Sequence, residues 1–371
     1  MVATMKILVI TKTLATHSGM GRYSAGVIQA LRGRDLEVSV ISEDKTNSND
    51  FLFSKLSIFN LIRNIYRVRR TSRDCQIVHA FDGWPYSLYA YFAVWGTKKS
   101  FLINIVGTYS IAVLYHWPKR YLMSKVYQRA DNLLCISNFI RQKLTEVLPN
   151  INSATVYLGL PDLPKLNPKE LEIFQQHYGL INRGPIILTV GEIKNRKGQF
   201  PTLQAVAELK KTYSNILYCV VGDVGSLGYL NQMKNFIIEN NLVDNLKIFT
   251  EINSDHDLRG FYQSATVFAL NAVNNDEDHH YEGFGLTLLE AASFGVPVVA
   301  SENSGTSEAL DPGINGYLTK QNNPSDITSK IKLILESNPF IIGQKGVEFS
   351  SQFTWEKTAG QYYQYYLEII K

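Results

Sequence analysis

Residues 282–301, EGFGLTLLEAASFGVPVVAS, hold two glutamates around an apolar run, Glu282 and Glu290. On one continuous helix, two side chains eight residues apart would point about 80° from each other. Gly283 and Gly285 predict instead that Glu282 lies in a loop and that the helix begins near Leu286. The free N–H groups of a helix start bind anions such as a diphosphate, and carboxylates accept hydrogen bonds from hydroxyls. The pattern therefore predicts a site for a ligand that is partly hydroxylated and partly phosphorylated.

Strand-like and helix-like segments alternate along the chain and predict the elements that position these glutamates. Five apolar strands are expected in the first half: KILVIT, EVSVIS, CQIVHAF, FLINIVG and NLLCIS. After a loop with several prolines, five more are expected: PIILTVGE, LYCVVGD, LKIFTE, ATVFALN and PVVAS. Apolar strands joined by helices form parallel sheets that are covered on both faces. We therefore predict two doubly wound α/β domains, 1–165 and 183–353, and expect the final helix, 354–371, to pack back on the first.

Composition and charge limit the class of protein. The chain has 371 residues, of which 45% are hydrophobic, and it lacks a run of about 18 apolar residues that would cross a membrane. KILVI near the start is a strand-sized run rather than a signal peptide, and the three cysteines lie in apolar runs, so we expect reduced thiols and a cytoplasmic protein. Residues 1–160 hold 20 Lys and Arg against 9 Asp and Glu, whereas residues 161–371 hold 17 against 24. This asymmetry predicts two domains with different partners.

The segment 282–301 resembles the donor-site signature of retaining GT-B glycosyltransferases of family 4, also described as glycosyl transferases group 1. Four other segments are similar to that family: GMGRYSAGVIQAL, ADNLLCISNFIRQKL, VGEIKNRKG and SEALDPGINGYL. The resemblance spans the chain from about residue 5 to about residue 320. It implies the GT-B fold, in which two facing Rossmann-like domains enclose a cleft, and we expect ligands at the carboxyl ends of the strands.

The resemblance also implies roles for individual residues. As catalytic groups, Glu282 would bind hydroxyls of the donor sugar, while Arg196 and Lys197 would neutralise the diphosphate leaving group. The implied donor-binding residues are Gly19 and Gly21, which would let the backbone approach the diphosphate, the main-chain N–H groups of Phe284, Gly285 and Leu286, and Glu290, which would hold the ribose hydroxyls.

Two positions depart from the family pattern. Many relatives have Arg after the Val-Gly of the phosphate turn, where this chain has Glu192. We expect Arg196 to supply the missing positive charge. Many relatives also have His before a Gly-Thr near the reacting carbon, where this chain has Val106. His17, His116 or no histidine takes that place.

The predicted reaction moves a hexose from a nucleotide diphosphate sugar to a hydroxyl of a saccharide or lipid-linked acceptor, with retained configuration, in polysaccharide or glycoconjugate synthesis. Glucose and UDP are favoured only because they are frequent in the family. The resemblance implies no metal and no cofactor besides the nucleotide-sugar co-substrate. Two alternatives stay open: a nucleotide-sugar epimerase, and a non-catalytic protein that binds sugar nucleotides.

Two further segments carry charge without a clear motif. The run NNDEDHHYEG before the glycine loop has ligand types for a metal, but a solvated acidic loop is the preferred interpretation. Residues 61–73 are rich in arginine, and as a helix they would place Arg63, Arg67 and Arg70 on one face. That face is either simply solvated or, together with residues 116–129, attracted to an anionic membrane surface, which would make the protein peripheral at the inner face. Without a nucleic-acid-binding motif, we expect no nucleic-acid partner.

Overall fold

A computed structural model describes residues 4–16, 18–44, 51–252 and 254–370. The chain divides into two compact units. The first runs to Pro161 and resumes at Phe353, and the second is Asp162–Gln352. The segment between the two predicted domains is therefore part of the second unit, which gains one helix there. In the described part of the chain, each helix is too short or too polar to cross a bilayer.

The first unit contains a parallel six-stranded sheet in the order β2-β1-β3-β4-β5-β6. Serines cap three of its helices: Ser18, Ser57 and Ser137 each accept a hydrogen bond from the N–H three residues later. The strands are β1 (Met5–Ile10), β2 (Leu36–Ile41), β3 (Ile77–Ala80), β4 (Ser100–Ile105), β5 (Asn132–Cys135) and β6 (Ser153–Thr155). The helices are α1 (Gly19–Arg32), α2 (Ile58–Thr71), α3 (Tyr86–Val94), α4 (Thr108–Ile111), α5 (Lys119–Arg129) and α6 (Asn138–Val147).

The second unit contains another parallel six-stranded sheet, in the order β12-β11-β10-β7-β8-β9. The strands are β7 (Ile186–Val190), β8 (Leu217–Val221), β9 (Leu246–Phe249), β10 (Val267–Leu270), β11 (Val298–Ser301) and β12 (Gly316–Thr319). The helices are α7 (Pro168–Tyr178), α8 (Gln199–Leu209), α9 (Leu227–Glu239), α10 (Asp255–Ser264), α11 (Leu286–Ser293), α12 (Pro324–Glu336) and α13 (Pro339–Ser350).

The strand order of the second sheet reverses at one place. The chain proceeds from β7 outward to β8 and β9, and then returns to the other side of β7 with β10. Loops that leave the carboxyl ends of two strands at such a switch point diverge and leave a crevice, where ligands of open α/β sheets bind. The loops after β7 and β10 are therefore where this unit is expected to hold a ligand.

The final helix, α14 (Trp355–Ile370), belongs to the first unit and packs on α1. A buried polar network joins it to the sheet. His79 Nδ1 lies 2.7 Å from the Tyr366 hydroxyl, and His79 Nε2 lies 2.9 Å from Asn104 Oδ1. Since an amide oxygen only accepts, Nε2 donates to Asn104 and Nδ1 accepts from Tyr366, which is the pattern of a neutral imidazole.

We expect acid to weaken the first unit through His79. Burial lowers the pKa of this imidazole from 6.5 to about 3, although the hydrogen bond with Asn104 opposes the shift. Between these two values the unfolded chain binds a proton that the folded chain does not, so stability is full above 6.5 and falls toward 3, by up to about 1.4 kcal/mol per pH unit. Thermal unfolding across this window should show a shallower pH dependence for His79→Phe than for the exposed control His116→Phe. Identical slopes for the two variants would contradict the assignment.

Candidate functional site

The loop after β7 brings two cations toward the end of β10. Asn195–Lys197 forms a single 3-10 turn, and Gly198 follows it with a left-handed φ of 67°. A Cβ at Gly198 would lie 1.7 Å from the carbonyl oxygen of Asn271, the residue directly after β10. The Val273 N–H also donates to the Arg196 carbonyl, at 3.0 Å. Backbone contact between the two loops thus fixes the position of Arg196 and Lys197.

Gly198→Ala should therefore damage both stability and the site. The added methyl group meets backbone rather than a flexible side chain, and alanine is strained at this φ, so we expect a loss of at least about 1–3 kcal/mol of unfolding free energy. Gly228→Ala in α9 is the matched control, since no atom of the described residues lies within 4 Å of a Cβ placed there. Thermal denaturation of both variants is the measurement. Equal stability of the two would show that the turn is not held as described.

Glu282 lies between the two cations. Lys197 Nζ donates to its Oε1 at 2.8 Å, and Arg196 Nη1 lies 3.0 Å from its Oε2. Arg196 Nη1 also donates to the Tyr281 carbonyl at 2.6 Å, which ties the cation to the same loop. The three side chains are 10%, 14% and 25% exposed for Glu282, Lys197 and Arg196, so water screens their charges only weakly.

The ionisation of this cluster follows from burial and charge. Burial alone would raise the pKa of Glu282, but Lys197 and Arg196 outweigh it and lower the value from 4.5 to about 2. Burial lowers the pKa of Lys197, and Glu282 opposes that shift. Glu282 is therefore a carboxylate throughout the neutral and mildly acidic range, where it accepts hydrogen bonds and does not act as an acid.

Helix α11 begins where the sequence predicts. Gly285 is its N-cap, in the left-handed region with φ 84°, and no side chain of the described residues caps the helix start. The loop from Glu282 to Phe284 is buried and rests on the turn after β11, because a Cβ at Gly305 would lie 2.1 Å from the Gly283 carbonyl oxygen. The ion-paired Glu282 thus lies three residues before the N-cap Gly285, at the entrance to the helix.

Glu290 lies inside α11 and is 1% exposed. Tyr262 on α10 donates its hydroxyl to Glu290 Oε2 at 2.6 Å, and its ring stacks on Phe294. The sequence does not predict this role for Tyr262. It lies on a different helix, 28 residues before Glu290, and no motif or spacing links the two positions. The tyrosine holds the second glutamate in one orientation.

Glu192, the departure in the phosphate turn, has its own counter-ion. Its carboxylate forms an ion pair with Lys194, two residues along the chain. The stem of Lys197 passes over Gly191, whose Cβ would lie 3.4 Å from Lys197 Cε. The negative charge of Glu192 is therefore neutralised within the turn, and Lys197 remains the partner of Glu282.

The predicted glycines of the first unit lie at the start of α1. Gly19 is the first helical residue, and in the described part of the chain nothing lies within 4 Å of the place where its Cβ would be. Gly21 donates its N–H to the Ser18 hydroxyl, and a Cβ there would lie 1.9 Å from the Ala15 carbonyl oxygen. Gly21 is therefore needed for close packing against Ala15, whereas the backbone at Gly19 is accessible.

Val106, where relatives have histidine, lies beside a buried carboxylate. Its N–H donates to the Ser110 hydroxyl at 3.2 Å, and that hydroxyl donates to Asp82 Oδ1 at 2.7 Å. Burial raises the pKa of Asp82 from 3.8 to about 6, against the opposing hydrogen bonds of Ser110 and Gly83. Of the histidines considered for this place, His116 is exposed before α5 and His17 lies outside the described residues.

The acidic run before the glycine loop forms a closed turn. Asn275 and His280 pair through their backbones, and the side chain of Asn275 exchanges hydrogen bonds with Asp278. Within the residues that the structure describes, no three His, Cys, Asp or Glu side chains are grouped as a metal site would need. The turn precedes Tyr281 and Glu282 directly and is well placed to border the same site.

Comparison with known proteins gives consistent results. Residues 172–346 match the family model of glycosyl transferases group 1. The chain is 22% identical to an uncharacterised glycosyltransferase of Methanocaldococcus jannaschii, with 95% of each chain covered. It is 23% identical to the capsular polysaccharide biosynthesis glycosyltransferase CapM of Staphylococcus aureus, over 91% of this chain and 92% of CapM.

Solved structures show the same fold. A glycosyltransferase from Rickettsia africae superposes with a TM-score of 0.81 at 21% identity, covering 100% of this chain and 99% of the other. Anabaena HepE, solved in complex with UDP-glucose, also gives a TM-score of 0.81, at 17% identity and with 98% and 100% covered. The predicted α/β class with two doubly wound units of the GT-B type is confirmed. The match to glycosyl transferases group 1 covers the unit that holds Glu282, Arg196 and Lys197, and together with a glycosyltransferase relative that matches over 95% of the chain it identifies the protein as a glycosyltransferase.

Proposed function

We propose that the protein transfers a hexose, glucose in the first instance, from a UDP-sugar to a hydroxyl of a saccharide or lipid-linked acceptor, with retention of configuration, in polysaccharide or glycoconjugate synthesis. The choice of donor is supported by HepE, which binds UDP-glucose. The choice of pathway class is supported by CapM, whose name assigns it to capsular polysaccharide biosynthesis. The second unit binds the donor and the basic first unit binds the acceptor.

The observation that carries the proposal is the cluster of Glu282, Arg196 and Lys197 at the entrance to α11. Two cations and one carboxylate leave one net positive charge in a largely buried place. The helix start adds the equivalent of about half a positive charge. A diphosphate fits such a site, because it is anionic and accepts several hydrogen bonds at once.

Each predicted residue has a place in this proposal. Arg196 and Lys197 hold the diphosphate, and the main-chain N–H groups of Phe284, Gly285 and Leu286 donate to the phosphate and the sugar. Among the described residues, Glu282 Oε2 forms an ion pair with Arg196 but has no hydrogen bond of good geometry, and in this proposal it accepts one from a sugar hydroxyl. Glu290, oriented by Tyr262, accepts a hydrogen bond from a ribose hydroxyl. Gly19 lets the backbone of the first unit approach the donor, and Gly21 keeps that turn in shape.

The costly step is the departure of the nucleoside diphosphate. The bond between the anomeric carbon and the diphosphate oxygen breaks while the acceptor oxygen forms its bond on the same face of the sugar. The proton of the acceptor hydroxyl passes to an oxygen of the leaving phosphate. Negative charge that develops on the diphosphate meets Arg196, Lys197 and the start of α11, which are already oriented and need no rearrangement. Since these groups supply the positive charge, the proposal includes no metal ion.

The experiment is a donor screen followed by product analysis. Thermal shift with UDP-glucose, GDP-mannose and ADP-glucose identifies the donor, because a ligand that binds only the folded state raises the unfolding temperature. Release of the nucleoside diphosphate is then measured with saccharide and lipid-linked acceptors, and NMR gives the anomeric configuration of the product. We expect acceptor-dependent release and retention. Isomerisation of the donor without an acceptor, or binding without turnover, would contradict the proposal.

A further inference from the structure

The outward face of α2 carries large apolar side chains. Ile58, Phe59, Ile62 and Tyr66 are 64%, 76%, 60% and 62% exposed. At 3.6 residues per turn these four positions lie within about 100° of one another around the helix, so they form one stripe. Contiguous exposed apolar side chains of this size mark a surface that contacts a partner.

Arginines share this face. Arg63, Arg69, Arg70 and Arg73 are all exposed, and they flank the apolar stripe or continue it toward the carboxyl end of α2. Arg67 instead turns inward, with its guanidinium 4.4 Å from the centres of the Phe51 and Phe53 rings. The arginine-bearing face of α2 is therefore mixed, with aliphatic and aromatic groups between the cations.

A second exposed group lies around the start of α5. Trp117 is 84% exposed and Tyr121 is 65% exposed, and both neighbour the cations Lys119 and Arg120. Helices α2 and α5 both contact α3, so they lie on the same side of the sheet. Each helix ends a few residues before the next strand of the parallel sheet begins, β3 after α2 and β5 after α5, so each helix starts toward the edge where the strands end. The aromatic starts of α2 and α5 thus share one edge of the first unit.

The charge of this region is of one sign. Residues 51–73 and 83–130, which include α2, α3 and α5, hold twelve Lys and Arg and no Asp or Glu. A positive surface with exposed Trp, Tyr, Phe and Ile fits the interface of an anionic bilayer. There the cations meet lipid phosphates, the aromatic rings lie among the headgroups, and the aliphatic groups reach the acyl chains.

We propose that this docking surface, formed by Ile58, Phe59, Ile62, Tyr66, Trp117 and Tyr121 with the surrounding cations, binds an anionic lipid bilayer and makes the protein peripheral to a membrane. Two copies meeting through it would set like charges against each other. A nucleic acid would satisfy the cations but not the exposed isoleucines. The inference goes beyond the proposed reaction and does not depend on it.

The test is vesicle flotation of the full chain. The vesicles are pure phosphatidylcholine or an equimolar mixture with phosphatidylglycerol. We expect binding to the mixed vesicles that weakens as salt is added, and little binding to the neutral ones. Arg63→Gln with Arg70→Gln should lower the affinity roughly tenfold or more, since each cation near such a surface contributes several-fold. Phe59→Ser with Ile62→Ser should have a similar effect through lost apolar burial, also roughly tenfold.

The matched control removes exposed apolar groups from the other unit. Phe340 and Ile341 on α13 are 71% and 58% exposed, and Phe340→Ser with Ile341→Ser should leave flotation unchanged. Quenching of Trp117 fluorescence by brominated lipid, lost in Trp117→Phe, should place this side chain at the interface. Absence of flotation, equal flotation with neutral vesicles, or equal loss in the control would overturn the proposal. Self-association abolished by Phe59→Ser with Ile62→Ser, without vesicle binding, would overturn it in favour of a second copy.

Discussion

Lys197→Ala is expected to lower kcat about 100-fold or more at saturating donor, as removal of one preorganised donor to a developing negative charge does. Lys197 is 14% exposed and lies 2.8 Å from Glu282, so its charge acts in a poorly screened place. The ammonium group of Lys197 stabilises the diphosphate most as the diphosphate leaves, because only then does the additional negative charge develop. The variant should therefore lose more in turnover than in the apparent affinity for the sugar donor.

Lys194→Ala is the matched control for this prediction. Lys194 belongs to the same turn, but its ion pair is with Glu192 rather than Glu282. We expect a much smaller loss of turnover for this variant. Thermal unfolding should show that Lys197→Ala remains folded, because Arg196 still pairs with Glu282. An unchanged kcat for Lys197→Ala would remove this lysine from the site.

Glu282→Ala is expected to impair sugar transfer more than nucleotide binding. The carboxylate is assigned to sugar hydroxyls, and a hydrogen bond to a charged group contributes about 1.5–3 kcal/mol, so transfer should fall roughly 10–100-fold. Binding of UDP should persist, since the variant loses a negative charge and keeps both cations. The substitution should also destabilise the fold, because two largely buried cations lose their counter-ion. We expect the free energy of unfolding to fall by about 3–5 kcal/mol.

Two further variants separate charge from shape. Glu282→Gln preserves the volume and one acceptor oxygen, so it should fold better than the alanine variant and still transfer sugar poorly. Glu277→Ala removes an exposed carboxylate from the neighbouring turn and should change little. Equal loss of UDP binding and sugar transfer in Glu282→Ala would contradict the assigned role. So would wild-type transfer by Glu282→Gln.

The loop and helix around the first glutamate were predictable from the sequence because local chemistry decides them. Glycines on both sides of Phe284 permit the turn, and the apolar run that follows fixes the start of α11 at Leu286. The partners of the glutamates were not predictable. Lys197 reaches Glu282 across 85 residues, as does its neighbour Arg196 from one residue further away, through backbone contact between Gly198 and Asn271 that no local pattern encodes.

The fold, like the site, was only partly predictable from the sequence. Of the twelve strands in the described residues, the sequence predicts ten in order, most of them from apolar runs that are buried. It misses β6 and β12, because their segments, SAT and GYLT, lack the continuous apolar run of the other strands. It also misses α13, whose start at Pro339 follows α12 closely. On α2, the sequence does not predict the exposure of Phe59 and Ile62, because that exposure depends on which helix face contacts α3.

The most direct measurement of the central claim is calorimetric binding of UDP and of uridine to the wild-type protein and to Lys197→Ala. If the cations at the entrance to α11 hold the diphosphate, the variant loses roughly 10–100-fold in affinity for UDP, the magnitude of one charge-assisted hydrogen bond. Its affinity for uridine, which has no phosphate, stays the same. Unchanged UDP affinity, or an equal loss for both ligands, would show that the diphosphate is bound elsewhere.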